Sequence, residues 1–302
     1  MSRKIRVAVV GFGNVGRAAL EAIEITNDLE VAGIVTREYA RATVQRQYPG
    51  LPVTSVATQL TDVDVAILAV PSRNVEELAS ELLASGISTV DSFDIHGSEL
   101  WQLRQRLDII AKGSGVAAIL GAGWDPGTDS MLRAIFVLQA PRGISYTNFG
   151  PGVSMGHTVA AKKIPGVRNA LALTFPKGHG EHRRLVYVEL DTGYAIDTVA
   201  AAILRDPYFC HDETEVRLTD SVAALSDTGH GVLLERRGTA GRTANQYFRY
   251  ESHITNPAVT GQILVGAARA AHRLAPGAYT MLEVPLMHFL PGDIQKVVEQ
   301  LV

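Results

Sequence analysis

Up to Leu120 the chain alternates between short apolar runs and segments whose apolar positions recur at helical spacing. Ile5-Arg6-Val7-Ala8-Val9-Val10 reads as a buried strand, Asn14 to Ile25 as a helix and Leu29 to Val35 as a second strand. Val65 to Val70 is another buried run, Asn74 to Ala84 a helix, Ile87 to Asp91 a strand, Glu99 to Lys112 a helix and Val116 to Leu120 a strand. Strands that are apolar on both faces and joined by helices predict a doubly wound parallel sheet.

After Gly123 the rhythm changes. Thr128 to Leu138 predicts a helix, and Ile144 to Phe149, Leu171 to Phe175, Arg184 to Leu190, Glu215 to Leu218, Val232 to Arg236 and Gln246 to Ser252 predict strands with longer, Gly-rich connections. Ile196 to Leu204 is the main helix among them. Successive strands without intervening helices predict a second α+β domain with a mostly antiparallel sheet. A helical pattern from Ala258 to Leu274, an apolar Met281-Leu282-Glu283-Val284 and a last helix from Asp293 to Leu301 follow. The expected division is therefore 1–123 as one domain, 124–256 as a second, and 257–302 folding back onto the first.

Gly11-Phe12-Gly13-Asn14-Val15-Gly16 lies between the first strand and the first helix. Gly11 permits a tight turn, Gly13 lets a pyrophosphate approach the backbone, and Gly16 lets the helix pack on the strand. Flanked in this way, the turn points to a Rossmann dinucleotide site, with Gly11, Phe12, Gly13, Asn14 and Val15 as contacts. Pro71 and Ser72, at the C-terminal end of the Val65 run, are further candidates, because strand ends of that polarity face the ligand crevice. NAD-preferring sheets place an acid after the second strand, whereas this chain has Thr36-Arg37. A hydroxyl and a guanidinium suit a 2′-phosphate, so NADP is favoured; the competing reading has Arg37 solvated and Glu38 as the acid.

Length and composition narrow the classes. The chain has 302 residues, enough for roughly two domains of about 150 residues. A net charge of -3, with scattered basic pairs such as Lys162-Lys163, Arg183-Arg184 and Arg236-Arg237, gives no electrostatic case for nucleic acid or an anionic membrane. Cys210 is the only cysteine, so no intrachain disulfide can form, and a reducing cytoplasm fits best. The apolar run after Met1 is too short for the core of a signal peptide, and no stretch reaches membrane-spanning length. No metal is expected, since neither His96 nor His157 belongs to a ligand spacing.

Three polar, glycine-containing segments each follow a strand: Asp91-Ser92-Phe93-Asp94-Ile95-His96, Gly123-Trp124-Asp125-Pro126-Gly127 and Phe149-Gly150-Pro151-Gly152-Val153-Ser154-Met155-Gly156-His157. In a doubly wound sheet the first two share the crevice of the glycine turn, which brings Asp94 and Asp125 toward the nicotinamide. Carboxylates there can hold an ammonium group and pass protons. The structural alternatives are Asp125 as an N-cap of the Thr128 helix and Asp94 as a turn former.

These segments, with Val9 to Arg17, Ile164-Pro165-Gly166-Val167 and Ala270-Ala271-His272-Arg273, strongly resemble the meso-diaminopimelate dehydrogenase family, in order along the whole chain. The resemblance implies NADP-dependent oxidative deamination at the D-centre of meso-2,6-diaminopimelate, giving L-2-amino-6-oxopimelate and ammonia, and the reverse amination. It also implies a homodimer built on the second domain. The family's substrate contacts fall on Asp94, Trp124, Asp125, Phe149, Met155, Thr174, Arg184, His230 and Asn256. Asp94 and Asp125 match the carboxylates near the reacting amine, and Thr174, Arg184 and His230 match groups at the far, L-configured end, with Asn256 beside them.

Two departures resemble a shorter second subtype. Phe149 and Met155 stand where many members have Trp and Gln, and the connection from Phe175 to Arg183 is short. Some members of that subtype also aminate simple 2-keto acids to D-amino acids. The runners-up are another two-domain NAD(P) oxidoreductase, of homoserine dehydrogenase or dihydrodipicolinate reductase type, and a cofactor-sensing regulator without turnover.

Overall fold

The structure, a computed structural model, describes residues 3–179, 181–225 and 229–302, apart from the side chain of Met155. The chain divides into two compact units, Met1–Ala134 with Pro257–Val302, and Ile135–Asn256.

The first unit begins β1 (Ile5–Val10), α1 (Asn14–Glu24), β2 (Leu29–Val35), α2 (Glu38–Gln47), β3 (Val53–Thr54), β4 (Val65–Leu68), α3 (Val75–Ala84), β5 (Ser88–Asp91), α4 (Ser98–Ser114) and β6 (Ala117–Leu120). Helix α5 (Thr128–Gln139) leads into the second unit. That unit holds β7 (Arg142–Phe149), β8 (Gly152–Val153), α6 (Met155–Lys162), β9 (Val167–Gly178), β10 (Glu181–Leu190), α7 (Ile196–Arg205), β11 (Glu213–Leu218), β12 (His230–Ala240) and β13 (Thr243–Ile254). Helix α8 (Asn256–Ala271), β14 (Gly277–Thr280), α9 (Leu286–Phe289) and α10 (Ile294–Leu301) complete the chain.

The first unit is a seven-stranded sheet in the order β14-β6-β5-β4-β1-β2-β3, and every neighbouring pair is parallel. Alternation along each strand feeds two cores. Val7 and Val9 join Val65, Ile67 and Ile119 on one face, while Ala8 and Val10 join Ala66, Leu68 and Leu120 on the other. The first core is closed by Leu20 and Ile23 of α1 and by Leu264, Val265 and Ala268 of α8; the second by Leu82 and Leu83 of α3 and Leu103 and Leu107 of α4. Helix α8 approaches α1 closely at Gly261, where a Cβ would lie 2.7 Å from the α1 backbone at Ala18 and Ala19. Arg269, 2% exposed, ties α8 to Asp28 with a 2.9 Å bond and to the Phe289 carbonyl at 2.8 Å.

The second unit holds two sheets where the sequence predicts one: β11-β10-β9-β8 and β13-β12-β7. All their pairs are antiparallel except β10 with β11. Val186 and Val188 of β10, Ala170 and Ala172 of β9, and Val199 and Ile203 of α7 form its main core. The segment from Phe175 to Arg183, predicted as a connection, is mostly strand, because Arg183 pairs with Phe175 and His182 with Pro176 in the β9–β10 hairpin. Helix α8 starts at Asn256, so that residue lies in its first turn.

Candidate active site

Residues at the C-terminal ends of β1, β2 and β4 line a cavity of about 600 Å³ in the first unit. Gly11, Phe12, Gly13, Thr36, Arg37 and Pro71 lie in its wall with Tyr39, Ser55 and Asn74. Gly11 has φ +102°, and a Cβ there would stand 2.3 Å from the Ala69 carbonyl oxygen, so only glycine fits. A Cβ at Gly13, by contrast, would meet no protein atom, which is the arrangement a closely approaching pyrophosphate needs. Helix α1 begins there with no side-chain cap on Gly13 and no acid in its first turn, so its leading amides suit an anion. The residues present therefore fit a dinucleotide.

Arg37 faces this cavity and bonds Tyr39 Oη at 3.2 Å, whereas Glu38 is exposed and paired with Arg41 at 3.2 Å. Asn14, Val15 and Ser72 stand beside the cavity and not in its wall: Asn14 accepts a bond from Arg17 at 2.9 Å, and Val15 packs on the first core. Tyr39 and Ser55 carried no motif in the sequence. Ser55 follows β3, a two-residue strand too short to show a period.

The ends of β5 and β6 are joined by one buried carboxyl group. Asp91 is fully buried, and its Oδ1 accepts from the amides of Phe93 at 2.9 Å and Gly121 at 3.1 Å, tying the loop of Asp94 to that of Asp125. Burial pushes Asp91 up to about 6 against those two bonds. Asp94 is exposed; its carboxylate accepts from the Ser72 hydroxyl, and its amide donates to Ser72 Oγ at 3.1 Å. This links Asp94 to the loop that carries Pro71.

Trp124 and Asp125 sit on a turn closed on itself. Gly123 and Gly127 touch so closely that a Cβ on Gly127 would stand 1.7 Å from the Gly123 carbonyl oxygen. Trp124 is 8% exposed, and its carbonyl accepts from the Asp129 amide at 3.1 Å. The Asp125 side chain is 4% exposed and accepts from Arg133 Nη1 at 2.8 Å, so it pairs with a cation one and a half turns into α5 and does not cap that helix. Asp129 escaped the sequence reading. It is 1% exposed, and neither of its oxygens has a hydrogen-bond partner among the described residues. Burial, then the charge of Asp125, raises it to about 7.

In the second unit, Arg184 and Thr174 are a register pair of the β9–β10 hairpin, both buried, with Arg184 Nη1 donating to Thr174 Oγ1 at 2.6 Å. Arg184 Nε donates to Asp212 Oδ2 at 2.6 Å. His157 in α6 accepts or donates through Nδ1 at Ser154 Oγ, 2.8 Å away, and packs edge-on against Tyr208 and Phe209. Burial lowers the pKa of His157 and of His182, and the Arg184 charge lowers both further. The Gly150-Pro151-Gly152 segment links the two sheets: Gly150 φ is +120°, its amide donates to the Gly231 carbonyl at 2.6 Å, and Gly152 pairs with Thr174. Phe149, at the end of β7 and 48% exposed, pairs with Val232, two residues after His230, and His230 pairs with Ile254. The unit thus gathers Thr174, Arg184, Phe149 and His230 around one Gly-Pro-Gly crossing. The Met155 side chain lies outside the described residues. Among the described residues no group of three or more His, Cys, Asp or Glu side chains could hold a metal, and no helix is long and apolar enough to cross a membrane.

Residues 5–90 match the oxidoreductase family with an NAD-binding Rossmann fold, and residues 123–180 match the diaminopimelic acid dehydrogenase C-terminal domain. Along 99% of its length this chain is 51% identical to the whole meso-diaminopimelate D-dehydrogenase of Bacteroides fragilis. It belongs to that family. Membership makes it an oxidoreductase of the class that acts on CH–NH2 groups, with an NAD(P)-binding Rossmann unit. The same relationship appears in solved structures. A C. glutamicum diaminopimelate dehydrogenase in complex with diaminopimelate superposes with a TM-score of 0.75 at 30% identity over 99% of both chains. An engineered D-amino acid dehydrogenase bound to NADP+ gives 0.71 at 28% identity, covering 99% of this chain and all of that one.

Proposed function

We propose that this chain oxidatively deaminates meso-2,6-diaminopimelate at its D-centre with NADP, giving L-2-amino-6-oxopimelate and ammonia, and runs the reverse amination. The observation that carries the reading is the whole-length match to the Bacteroides fragilis enzyme. The chemistry of each unit agrees with it. A substrate with an amino-acid group at either end needs carboxylates for ammonium and cationic or neutral donors for carboxylate.

Gly11, Phe12, Gly13, Asn14, Val15, Pro71 and Ser72 would hold the dinucleotide, and Thr36 with Arg37 its 2′-phosphate. The cavity-facing Arg37 and the outward pairing of Glu38 with Arg41 support NADP over NAD. When bound, the cofactor supplies the acceptor for the hydride that leaves the D-carbon. Asp94 and Asp125 would receive the reacting ammonium and take up protons as the amine is released and water adds to the imine. Arg133 fixes the Asp125 carboxylate, so its orientation does not have to be established at each turnover. Trp124 would wall that end. Arg184, Thr174 and His230 would take the distal carboxylate, with Asn256 beside them and Phe149 and Met155 as further substrate contacts.

Amination of simple 2-keto acids belongs to the same proposal, supported by the likeness to the engineered D-amino acid dehydrogenase. So does a homodimer formed through the second unit. A chain with Cys210 as its only cysteine, and so no intrachain disulfide, accords with the cytoplasm. Reduction of NADP+ on addition of meso-diaminopimelate tests the reading; binding of NADPH without turnover on any amino acid would instead make the protein a sensor.

A further inference from the structure

Asp212 sets how strictly this site demands a second carboxylate on its substrate, we propose, by keeping Arg184 paired when the substrate has none. The inference rests on the reading that Arg184 and Thr174 receive the distal carboxylate. A buried guanidinium built to meet a substrate anion normally enforces selectivity, because an analogue without the anion leaves the cation desolvated and unpaired. Here that penalty is removed from within the chain. Arg184 is 9% exposed, yet Nε is held by Asp212 Oδ2 and Nη1 by Thr174 Oγ1, each at 2.6 Å. Nη2 has no partner among the described residues, which leaves one nitrogen for an incoming carboxylate.

The fold fixes this arrangement. Strands β10 and β11 pair in parallel with Arg184 opposite Thr214, so the residue entering β11 two positions earlier stands beside the guanidinium. The turn before β11 is pinned by the Asp212 amide on the Phe209 carbonyl at 3.2 Å and by Thr214 Oγ1 on the Asp212 carbonyl at 3.2 Å. His157 and His182 both feel the Arg184 charge and are held toward the neutral form by burial and by that charge. Asp212 is thus the anion that answers Arg184 in the free protein. It has a second effect: a substrate carboxylate must share the guanidinium with a fixed negative charge, which weakens the advantage of the dicarboxylate.

The test compares kcat/KM for meso-diaminopimelate and D-alanine in the full-length protein with NADP+. In Asp212→Ala the ratio of the two should rise at least tenfold, chiefly through loss of D-alanine turnover. Asp212→Asn, which keeps the shape and threatens folding least, should move the ratio the same way by less, and Asp212→Glu should return it toward wild type. A ratio unchanged or lowered in both Asp212→Ala and Asp212→Asn overturns the proposal, as does a wild-type protein with no turnover of D-alanine. A lowered ratio would mean that Asp212 contacts the substrate's own ammonium. Failure of the underlying reading looks different: Arg184→Gln would then leave meso-diaminopimelate turnover untouched whatever the Asp212 variants do.

Discussion

Arg184 Nη1 donates to Thr174 Oγ1 at 2.6 Å across a register pair of the β9–β10 hairpin, with both residues buried. Two adjacent strands, with Asp212 holding Nε from the turn before β11, therefore set the direction in which the guanidinium faces. Replacing Arg184 with Met should cut kcat/KM for meso-diaminopimelate about ten- to a hundredfold, the worth of a charge-assisted bond. Thr174→Val should cost about fivefold, the worth of a neutral one. Both losses should appear mainly in KM, read from initial rates, because the group they hold is remote from the reacting carbon.

Arg37 faces the dinucleotide cavity while Glu38 is turned to Arg41. Arg37→Ala should weaken NADP about tenfold or more and NAD much less, as measured by titrating each cofactor. Equal loss for the two would remove Arg37 from the 2′-phosphate.

Asp125 is buried on Arg133, and Asp94 is bonded to Ser72. Asp125→Asn keeps the volume and removes the proton acceptor, so kcat should fall by about a hundredfold or more, with thermal stability lowered as well because the buried ion pair with Arg133 is lost. Unchanged turnover would exclude Asp125 as the base and leave Asp94.

Asp129 is raised to about 7 by burial and by Asp125, so the native state holds its proton across a range in which the unfolded chain, near 3.8, has released it. The unfolded state then binds fewer protons, and stability falls as pH rises from about 4 to about 7, by at most about 1.4 kcal/mol per pH unit. Below about 4 both states are protonated and the contribution is fully present. Asp129→Asn should flatten this loss, measured as the difference between wild-type and variant melting temperatures across that range.

Gly16 admits no side chain, since a Cβ would lie 1.9 Å from the Gly11 carbonyl oxygen. Gly16→Ala should destabilise the protein by about 1–3 kcal/mol in urea unfolding and weaken both dinucleotides alike, because it pushes α1 away from the turn.

The sheet of the first unit was legible because its strands are apolar on both faces, so Val7 and Val9 read as plainly as Ala8 and Val10. β14 was not, since Gly277-Ala278-Tyr279-Thr280 is too short and mixed to show a period, and its place beside β6 is set by pairing. The full length of the β9–β10 hairpin was hidden for a similar reason: Pro176, Lys177 and Gly178 read as a connection although the strand runs through them. Of the candidate site, the glycine turn announced itself through backbone demands that only glycine meets. Asp129 and Asp212 gave no such signal. One looks like an ordinary first-turn acid of a helix and the other a loop acid, and only burial and the neighbouring cation distinguish them.

The most direct test of the whole account is an initial-rate assay of the purified protein with NADP+ and the meso, LL and DD isomers of diaminopimelate, following the reduced nicotinamide by absorbance. Reduction with the meso isomer and none with the LL isomer is the expected result. Turnover of the LL isomer with none of the meso would contradict it.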